Sequence, residues 1–375
     1  MVIALLDDDS LPKVLFLAPY PEKKDGIGHY THELVRSLEA LGLETMVLGD
    51  LESSAADFQT DFHARKLIDA CHNAVKETHA DLVHIQFEEA LFQAASLLAA
   101  MRALSRAGIP VVTTVHALPA SSVRGPLGWV VTQRHKRAQQ GVVQHSSALI
   151  VHTRDHLAEL LRDGVPREKV TVVPIGARAS LRAHGEPTIR SGRPRVLFTG
   201  FLTPNKGAVR LVQMAPSCRD LDFVIQGIPL RGSHPRYARN IERRARHLSN
   251  VRVLSTWLDQ RGRSDLIKSA AVILLPYRRV HFQSAVLMDA VSEGIPVVTT
   301  DDGPVGTCVR ENQLGIAVPE GEVDALIEAT RQVLKGRERF VKNIAAYREA
   351  TSLARIAEMT VHVYRVTLAG GNRAS

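Results

Sequence analysis

The stretch KVLFLAPYPEKKDGIG, residues 13–28, decides the fold of the first half of the chain. An apolar run ends at two prolines, and a loop that carries Gly26 and Gly28 follows it. Leu34, Leu38 and Leu41 then recur at helical spacing up to a glycine, which predicts a helix over 30–41. A buried strand, a glycine-bearing loop and a helix in this order are typical of an α/β domain with a parallel sheet.

The second half opens in the same way, with RVLFTGFLTPNKG at residues 195–207. In both halves, short β-branched runs alternate with longer amphipathic segments. The fold class predicted is therefore α/β, with two Rossmann-like, doubly wound domains that face each other across a cleft and bind ligands at the carboxyl ends of their strands. The further strands are predicted at 45–48, 82–85, 111–115, 148–151 and 170–173 in the first half, and at 223–226, 251–254, 272–275 and 296–299 in the second.

A change of composition separates the two halves. Residues 177–194 are rich in Ala, Arg, Gly, Ser and Pro, which indicates a linker. We therefore expect an N-terminal domain over 1–180 and a C-terminal domain over 193–352. Helices are predicted at 287–293, 324–334 and 353–368.

Composition excludes several classes of protein. The chain has 375 residues, of which 45% are hydrophobic and 23% charged, as in a soluble globular protein. Lys and Arg outnumber Asp and Glu by 47 to 39, an excess that favours anionic partners without identifying one. We expect a cytoplasmic protein for three reasons. The three cysteines are dispersed, the N-terminus is unlike a signal peptide, and the longest apolar stretch, 90–101, is too short to span a bilayer.

Glycines and a lysine follow the first strand of each half. Gly26 and Gly28 precede a helix, whose free N–H groups favour an anion, although a tight turn that needs positive φ explains them equally well. Lys206 lies in the corresponding loop of the second half, where a mobile point charge could reach a phosphate. The alternative is a solvated lysine on a loop.

Polar side chains also follow two neighbouring strands of the first half. His116 comes directly after strand 111–115, and His84, Gln86, Glu88 and Glu89 stand at the end of strand 82–85. Because these strand ends meet at one sheet edge, they predict a polar pocket wall. A structural histidine and a solvated loop are the alternatives.

A third group precedes the helix predicted at 287–293. The backbone amides of Ser284, Ala285 and Val286 would lie at its start and offer an anion site, with Arg278 and Arg279 nearby. Asp289, one turn further on, could accept hydrogen bonds from the hydroxyls of a ribose. A solvent-facing carboxylate is the alternative.

Eight segments, in order, resemble the retaining GT-B glycosyltransferases of family 4, and the mannosyltransferase-like branch most of all. The resemblance runs from about residue 13 to residue 334, and only the ordered series is specific, for the family and not for a substrate. The segments are GIGHYTHEL, DLVHIQFEE, VVTTVHAL, ALIVHTRDHL, KVTVVPIGA, FTGFLTPNKG, ILLPYRRV and AVLMDAVSEGIPVVTT.

This resemblance implies transfer of a hexosyl-type sugar from a nucleoside-diphosphate donor to a hydroxyl acceptor, with retained configuration and no metal or cofactor. The donor would bind mainly to the C-terminal domain, and the N-terminal domain would bind a small-molecule, glycan or lipid-linked acceptor. The final helix, over about 353–375, would cross back to the N-terminal domain.

The resemblance also assigns roles by position. Lys206 would neutralise the leaving diphosphate, His116 would contact the transferred sugar, and Asp289 would bind the ribose. Gly28 would meet the donor phosphate through its backbone, and the amides of 284–286 would hold the distal phosphate. The donor-binding set is Gly26, Gly28, Lys206, Arg278, His281, Ser284, Ala285, Val286 and Asp289, and the acceptor-binding set is His29, Tyr30, Gln86 and Glu88.

The sequence departs from the family pattern in three ways. His281 and Asp289 stand where many members have two glutamates, and residues 201–203 lack the arginine common in the lysine loop. Ser284 or Ala285 replaces an expected glycine. Either Arg278 or Arg279 substitutes for the missing cation, or the donor is unusual, or the chain is catalytically weak.

Four alternatives follow from the sequence. One is a degenerate GT-B protein that binds a ligand without turnover, and another is a different GT-B enzyme such as a nucleotide-sugar epimerase. Nucleic-acid binding is disfavoured, because the basic run 236–247 resembles a solvated helix face with one aromatic residue. The segment 129–144 could contact a membrane surface, although a solvated helix fits it better.

Overall fold

The structure, a computed structural model, describes residues 11–21, 26–118, 126–178, 192–230, 234–278 and 282–371. Two units make up the chain: unit 1 is Met1–Gly176 with Leu353–Ser375, and unit 2 is Ala177–Ser352. Most of the linker predicted at 177–194 lies outside the described residues.

Unit 1 contains a seven-stranded parallel sheet with the strand order β3-β2-β1-β4-β5-β6-β7. The order reverses direction between β1 and β4, which is where ligands bind in open α/β sheets. The strands are β1 (Val14–Leu17), β2 (Thr45–Gly49), β3 (Phe58–Gln59), β4 (Leu82–Phe87), β5 (Val111–Val115), β6 (Ala148–Val151) and β7 (Val170–Val172).

Unit 2 contains a six-stranded parallel sheet with the strand order β10-β9-β8-β11-β12-β13. It has the same kind of reversal, here between β8 and β11. The strands are β8 (Arg195–Thr199), β9 (Asp222–Gln226), β10 (Val251–Leu254), β11 (Val272–Leu275), β12 (Val297–Thr300) and β13 (Gly315–Val318).

Helices connect the strands in both units, as parallel pairing requires. In unit 1 they are α1 (Gly26–Glu39), α2 (Leu67–Thr78), α3 (Ala94–Arg106), α4 (Pro126–His145) and α5 (Arg154–Arg162). In unit 2 they are α6 (Val209–Met214), α7 (Pro235–Ala245), α8 (Gln260–Lys268), α9 (Ala285–Ser292), α10 (Gly303–Glu311), α11 (Val323–Lys335) and α12 (Arg337–Ala350).

The last helix, α13 (Leu353–Gly371), belongs to unit 1 and packs against α1. Its Ile356 and Tyr364 have no exposed surface and share a core with Phe16 of β1 and Leu34 of α1. The ends of unit 2 lie side by side, because the Ala177 N–H donates to a backbone carbonyl at residue 351 over 2.7 Å. Unit 2 is therefore inserted in sequence between two parts of unit 1.

Alternation along β1 divides the core of unit 1 into two layers. Val14 and Phe16 face one layer, which contains α1 and α13, and Leu15 and Leu17 face the other, which contains α2 and α3. This alternation is the period of two that a strand buried on both faces must have. The sequence predicted the α/β fold class and eleven of the strands in approximate position, and both sheets confirm the α/β class.

The structure differs from the sequence prediction at four elements: one helix has other bounds, and three elements were not predicted. Helix α1 begins at Gly26 rather than at residue 30 and ends at Glu39. Strands β3 and β13 and helix α12 were not predicted, because β3 has two residues, β13 is half-exposed, and α12 buries only Phe340 and Ile344. None of the helices in the described ranges is long and apolar enough to cross a bilayer.

Candidate functional site

The loop after β8 presents Lys206 at the end of a one-turn 3-10 helix that spans Pro204–Lys206. Gly207 ends this turn with φ of +69°, and a Cβ atom there would lie 2.0 Å from the carbonyl oxygen of Pro276. The loop is held on its other side by the Arg278 N–H, which donates to the Asn205 carbonyl over 2.8 Å. The position of Lys206 is thus fixed against the end of β11.

Two aromatic rings hold the ammonium group of Lys206. Its Nζ lies 4.1 Å from the ring centroid of Tyr277 and 4.3 Å from that of Phe282. Both distances are within the range of a cation–π interaction, which stabilises the charge without neutralising it. The two rings therefore hold the lysine ammonium in place at the end of the loop.

The same tyrosine connects Lys206 to the start of α9. The hydroxyl groups of Tyr277 and Ser284 are 3.0 Å apart, and the Ser284 Oγ accepts the Leu287 N–H over 3.3 Å as the N-cap of α9. A helix N-terminus favours negative charge because its first N–H groups have no partner within the helix. Ala285, the first residue of α9, is exposed. The lysine ammonium and the N-cap serine of α9 therefore both contact one tyrosine, which brings a cation and a helix N-terminus into one neighbourhood, an arrangement suited to a phosphate or diphosphate.

Asp289 lies on the second turn of α9 and is 7% exposed. One of its carboxylate oxygens contacts the guanidinium of Arg178, and the other contacts that of Arg263. The backbone N–H of Arg178 also donates to the Ser292 Oγ over 2.9 Å. The solvent-facing alternative for Asp289 is therefore wrong, and the carboxylate is oriented by two cations.

The predicted substitutes for the missing arginine are placed differently. The Arg278 Nε–H donates to Glu320 over 2.7 Å, so its charge is already paired. Arg279 and His281, the latter predicted to bind the donor, lie outside the described residues. Phe201, one of the three residues 201–203 that lack the arginine common in the family, packs against Trp257 with 5.9 Å between the ring centroids.

In unit 1, the start of α1 passes close to the chain that leaves β1. A Cβ atom at Gly28 would lie 3.4 Å from the Tyr20 backbone nitrogen, whereas one at Gly26 would contact nothing within 4 Å. Neither glycine has positive φ, so the tight-turn alternative is wrong. His29 is exposed on the first turn, and Tyr30 is half-buried.

Three buried histidines are linked along β4, β5 and β6: His116 and His152 follow the ends of β5 and β6, whereas His84 lies within β4 and not at its end as predicted. His116 follows β5 and its N–H donates to the Phe87 carbonyl of β4 over 3.0 Å, while His152 occupies the equivalent position after β6. The His116 Nδ1 lies 3.2 Å from the His152 Nε2. The His116 Nε2 lies 2.7 Å from the Oε1 of the Gln86 amide. The same amide reaches His84 Nε2 over 3.2 Å.

Burial keeps these histidines neutral. It lowers the pKa of His84 to about 3 and that of His152 to about 4, and it holds the pKa of His116 well below its usual value. The ring of Tyr30 stands edge-on to His116 and His152, at 5.5 and 5.4 Å. At neutral pH each imidazole therefore has one N–H and one lone pair.

Gln86, predicted to bind the acceptor, has no exposed surface and lies behind His116. Any effect it has on a ligand passes through the histidines. His152 was missed by the sequence reasoning, although the motif ALIVHTRDHL places it after β6 as VVTTVHAL places His116 after β5. The matching positions of His152 and His116 after consecutive strands are the signal in the sequence that could have identified His152.

A cavity of about 610 Å³ adjoins the histidines within unit 1. Ala117 and Leu118, which follow His116 directly, line it together with Glu88 and Gln139. Glu89 contributes a carboxylate 3.0 Å from the His135 Nδ1. The mixture of apolar surface and hydrogen-bonding groups is typical of a small-molecule site. Among the residues that the structure describes, no three His, Cys, Asp or Glu side chains are grouped as metal ligands.

Two family descriptions match consecutive parts of the sequence. Residues 24–180 match the family described as Glycosyltransferase Family 4, and residues 193–336 match the family described as Glycosyl transferases group 1. A glycogen synthase of Mycobacterium tuberculosis (strain CDC 1551 / Oshkosh) is 25% identical over 233 residues, which are 60% of this chain and 55% of that protein. The chain therefore matches about half the length of this relative.

Solved structures share the fold at low identity. A sucrose-phosphate synthase from Thermosynechococcus elongatus has a TM-score of 0.76 and 16% identity, over 96% of this chain and all of that one. The Anabaena Alr3699/HepE protein in complex with UDP-glucose has a TM-score of 0.73 and 14% identity, over 95% of this chain and all of that one. Both sheets, the ordered motifs and the two matching families lead to one conclusion: the chain belongs to the family-4-type glycosyltransferases, and its fold is GT-B.

Proposed function

We propose that the protein transfers a hexosyl-type sugar from a nucleoside-diphosphate donor to a hydroxyl acceptor, with retained configuration and without a metal or other cofactor. One observation carries the proposal: Lys206 and the N-cap residue of α9, Ser284, both contact Tyr277. The similar Anabaena protein was crystallised in complex with UDP-glucose, which supports a uridine diphosphate sugar as the first donor to test.

The chemistry needs positive charge where the diphosphate leaves. Breaking the bond between sugar and phosphate concentrates negative charge on the departing oxygen. An ammonium and helix N–H groups already in position stabilise that charge more in the transition state than in the ground state. The Ser284 N–H already donates to the Gln283 Oε1 over 3.0 Å. In this proposal Lys206 and the amides of residues 285 and 286 therefore supply the stabilisation that a metal supplies elsewhere.

The remaining roles are assigned within each unit. Asp289, oriented by its two arginines, would accept hydrogen bonds from the ribose hydroxyls of the donor. In unit 1, Gly28 would offer its backbone to the donor, and His116 would contact the transferred sugar. The cavity beside His116 would take the acceptor, with Glu88 among its hydrogen-bonding groups.

Incubation with UDP-glucose and a panel of sugar, polyol and lipid-linked acceptors tests the proposal, with released UDP as the readout. We expect Lys206→Ala to lower kcat by about 10²–10³-fold, as the loss of one transition-state donor does elsewhere. Lys335→Ala, which removes an exposed lysine of the same unit, is the matched control and should keep full activity. Full activity in both variants would remove Lys206 from the mechanism.

Two further readouts test the finer claims. The anomeric proton coupling in the product gives the configuration, and an inverted product would contradict retention. Activity that is unchanged by EDTA supports metal independence, whereas activity restored only by a divalent cation would contradict it.

A second candidate is a protein that binds a nucleotide sugar without turnover. Residues 201–203 supply no arginine to the loop, and Arg278 is paired with Glu320, so the diphosphate would meet fewer cations. Calorimetry distinguishes the two. UDP binding without turnover across the whole panel would favour this candidate.

We propose a cytoplasmic location for the enzyme. Its three cysteines are all free and buried, which suits a reducing compartment. Contact of α4 with a membrane surface stays a prediction, which co-sedimentation with anionic vesicles would test.

A further inference from the structure

A hydrogen-bonded chain runs through the interior of unit 1, from a backbone carbonyl to the last helix. At one end, His152 Nδ1 lies 2.9 Å from the Val173 carbonyl oxygen. At the other, His84 Nδ1 lies 2.6 Å from the Tyr364 hydroxyl of α13, and His84 Nε2 lies 2.7 Å from the Thr114 Oγ1. His116 and Gln86 lie between these ends.

The carbonyl determines the direction of the first two bonds. Because the Val173 oxygen can only accept, the His152 Nδ1 must carry the proton, and the Nε2 of a neutral His152 is a lone pair. The His116 Nδ1, 3.2 Å away, must then donate to it. The Nε2 of a neutral His116 is in turn a lone pair, and it needs a donor.

Among the residues that the structure describes, the Gln86 amide is the group placed to supply that donor. The structure sets its Oε1 2.7 Å from the His116 Nε2 and its Nε2 3.2 Å from the His84 Nε2, and a half-turn about the last side-chain bond exchanges the amide N and O. With the NH₂ group towards His116, the amide oxygen faces His84 Nε2, which then carries its proton and donates towards that oxygen and Thr114. The His84 Nδ1 lone pair accepts from the Tyr364 hydroxyl. All the bonds are satisfied, and all three imidazoles are neutral.

The amide orientation that the structure itself has, with the Gln86 Oε1 towards His116, requires one more proton. With the Gln86 oxygen towards His116, the His116 Nε2 must donate, and the lone pair on its Nδ1 would face the lone pair of His152 Nε2. A proton between those two nitrogens removes the conflict. The same set of atoms therefore has two fully bonded states that differ by one proton and a half-turn of one amide.

We propose that Gln86 is a positioning residue whose amide orientation decides which nitrogen of His116 carries the proton. In the neutral state both His116 nitrogens are engaged by protein groups, so His116 meets the transferred sugar through its ring edge and does not act as a general base. The statement that His116 meets a sugar rests on the proposed function. The assignment of protons to the His116 nitrogens does not depend on that function.

The surroundings favour the neutral state. The groups around the histidine pair come from every neighbouring element: Tyr30 of α1, His84 of β4, His156 of α5 and Tyr364 of α13. Burial and the other histidines lower the pKa of His116. In the described part of the chain, no carboxylate contributes to the pKa of His116 or of His152.

Two-dimensional ¹H–¹⁵N NMR of the full chain with ¹⁵N-labelled histidine reads the tautomers directly. At pH 7.5 we expect Nδ1–H on His116 and His152, and Nε2–H on His84, with signals assigned from single His→Gln variants. A neutral His116 with Nε2–H would overturn the proposal, and this measurement on the unaltered protein decides it even where a variant fails to fold.

Gln86→Glu tests the role of the amide. A carboxylate only accepts, so it should draw Nε2–H from His116 and make the pair take up a proton, raising its titration midpoint by at least about one pH unit. Gln93→Glu is the control, because its carboxylate can still cap α3 by accepting the Ser96 N–H. Unchanged tautomers and midpoint in Gln86→Glu would refute the proposal. Neither readout needs a substrate, so a failed transferase assay leaves this test intact.

Discussion

Asp289 shows how one side chain can be fixed by partners that are far away in the sequence. Its carboxylate is buried between Arg178, which precedes β8, and Arg263 of α8. Two cations around one anion leave a net positive charge beside α9. That charge lies in the same unit as Lys206.

Asp289→Asn should destabilise the protein by about 2–4 kcal/mol, because breaking a buried ion pair leaves the remaining charges without a partner. The arginine side chains are 26% exposed, which keeps the loss below that of a fully buried pair. Urea denaturation of the variant measures it. Asp265→Asn, an exposed acid on the helix of Arg263, should change stability by less than about 0.5 kcal/mol. Equal stability of the two variants would contradict the ion-pair account.

Individual residues were predictable where strand order brings them to a sheet edge. His116 follows β5 directly and Lys206 lies in the loop after β8, so their position in the sequence implied their position in the fold. Arg178 and Arg263 have no spacing relation to Asp289, and their pairing depends on how α8 and α9 pack. The neutral state of His116 depends on burial, which the motif alone does not reveal.

At the scale of the element, the loop 200–207 depends on one backbone conformation. Gly207 combines positive φ with a contact that leaves no room for a side chain. The helical and strand segments around it follow from periodicity, and those were predicted within a few residues. The elements that were missed, β3, β13 and α12, are short or weakly amphipathic, so their formation depends on tertiary contacts rather than on pattern.

Gly207→Ala should cost well over 2 kcal/mol, since the left-handed conformation costs about 1–2 kcal/mol and the Cβ clash with Pro276 adds to it. Gly294→Ala is the matched control: its φ is +71° and a Cβ there contacts nothing within 4 Å. Thermal unfolding compares the two variants. A loss for Gly207→Ala no larger than that for Gly294→Ala would show that the Pro276 contact is unimportant.

At the scale of the whole molecule, the buried histidines make stability depend on pH. Above pH 6.5 they are neutral in both the folded and unfolded chains and contribute no pH dependence. Below it the unfolded chain binds protons that His84 and His152 resist, because their pKa values in the folded protein are about 3 and 4. The free energy of unfolding should therefore fall by up to about 1.4 kcal/mol per pH unit for each histidine between pH 6.5 and 4.

Urea denaturation at pH 7.5, 6.0, 5.0 and 4.5 measures this slope. His84→Gln should reduce it by about one histidine's share, whereas His72→Gln, at an exposed position on α2, should leave it unchanged. A slope that is the same in all three proteins would exclude His84 as a source of the acid sensitivity.

The return of α13 to unit 1 has a consequence on the ribosome. Phe16 and Leu34 are made early, but Ile356 and Tyr364, which cover them, are made only after the whole of unit 2. At about 5–20 residues per second, the roughly 195 residues from 177 to 371 take about 10–40 s to synthesise. Throughout that interval the nascent first unit carries an uncovered apolar face, and a premature stop codon anywhere in the second unit leaves that face uncovered permanently.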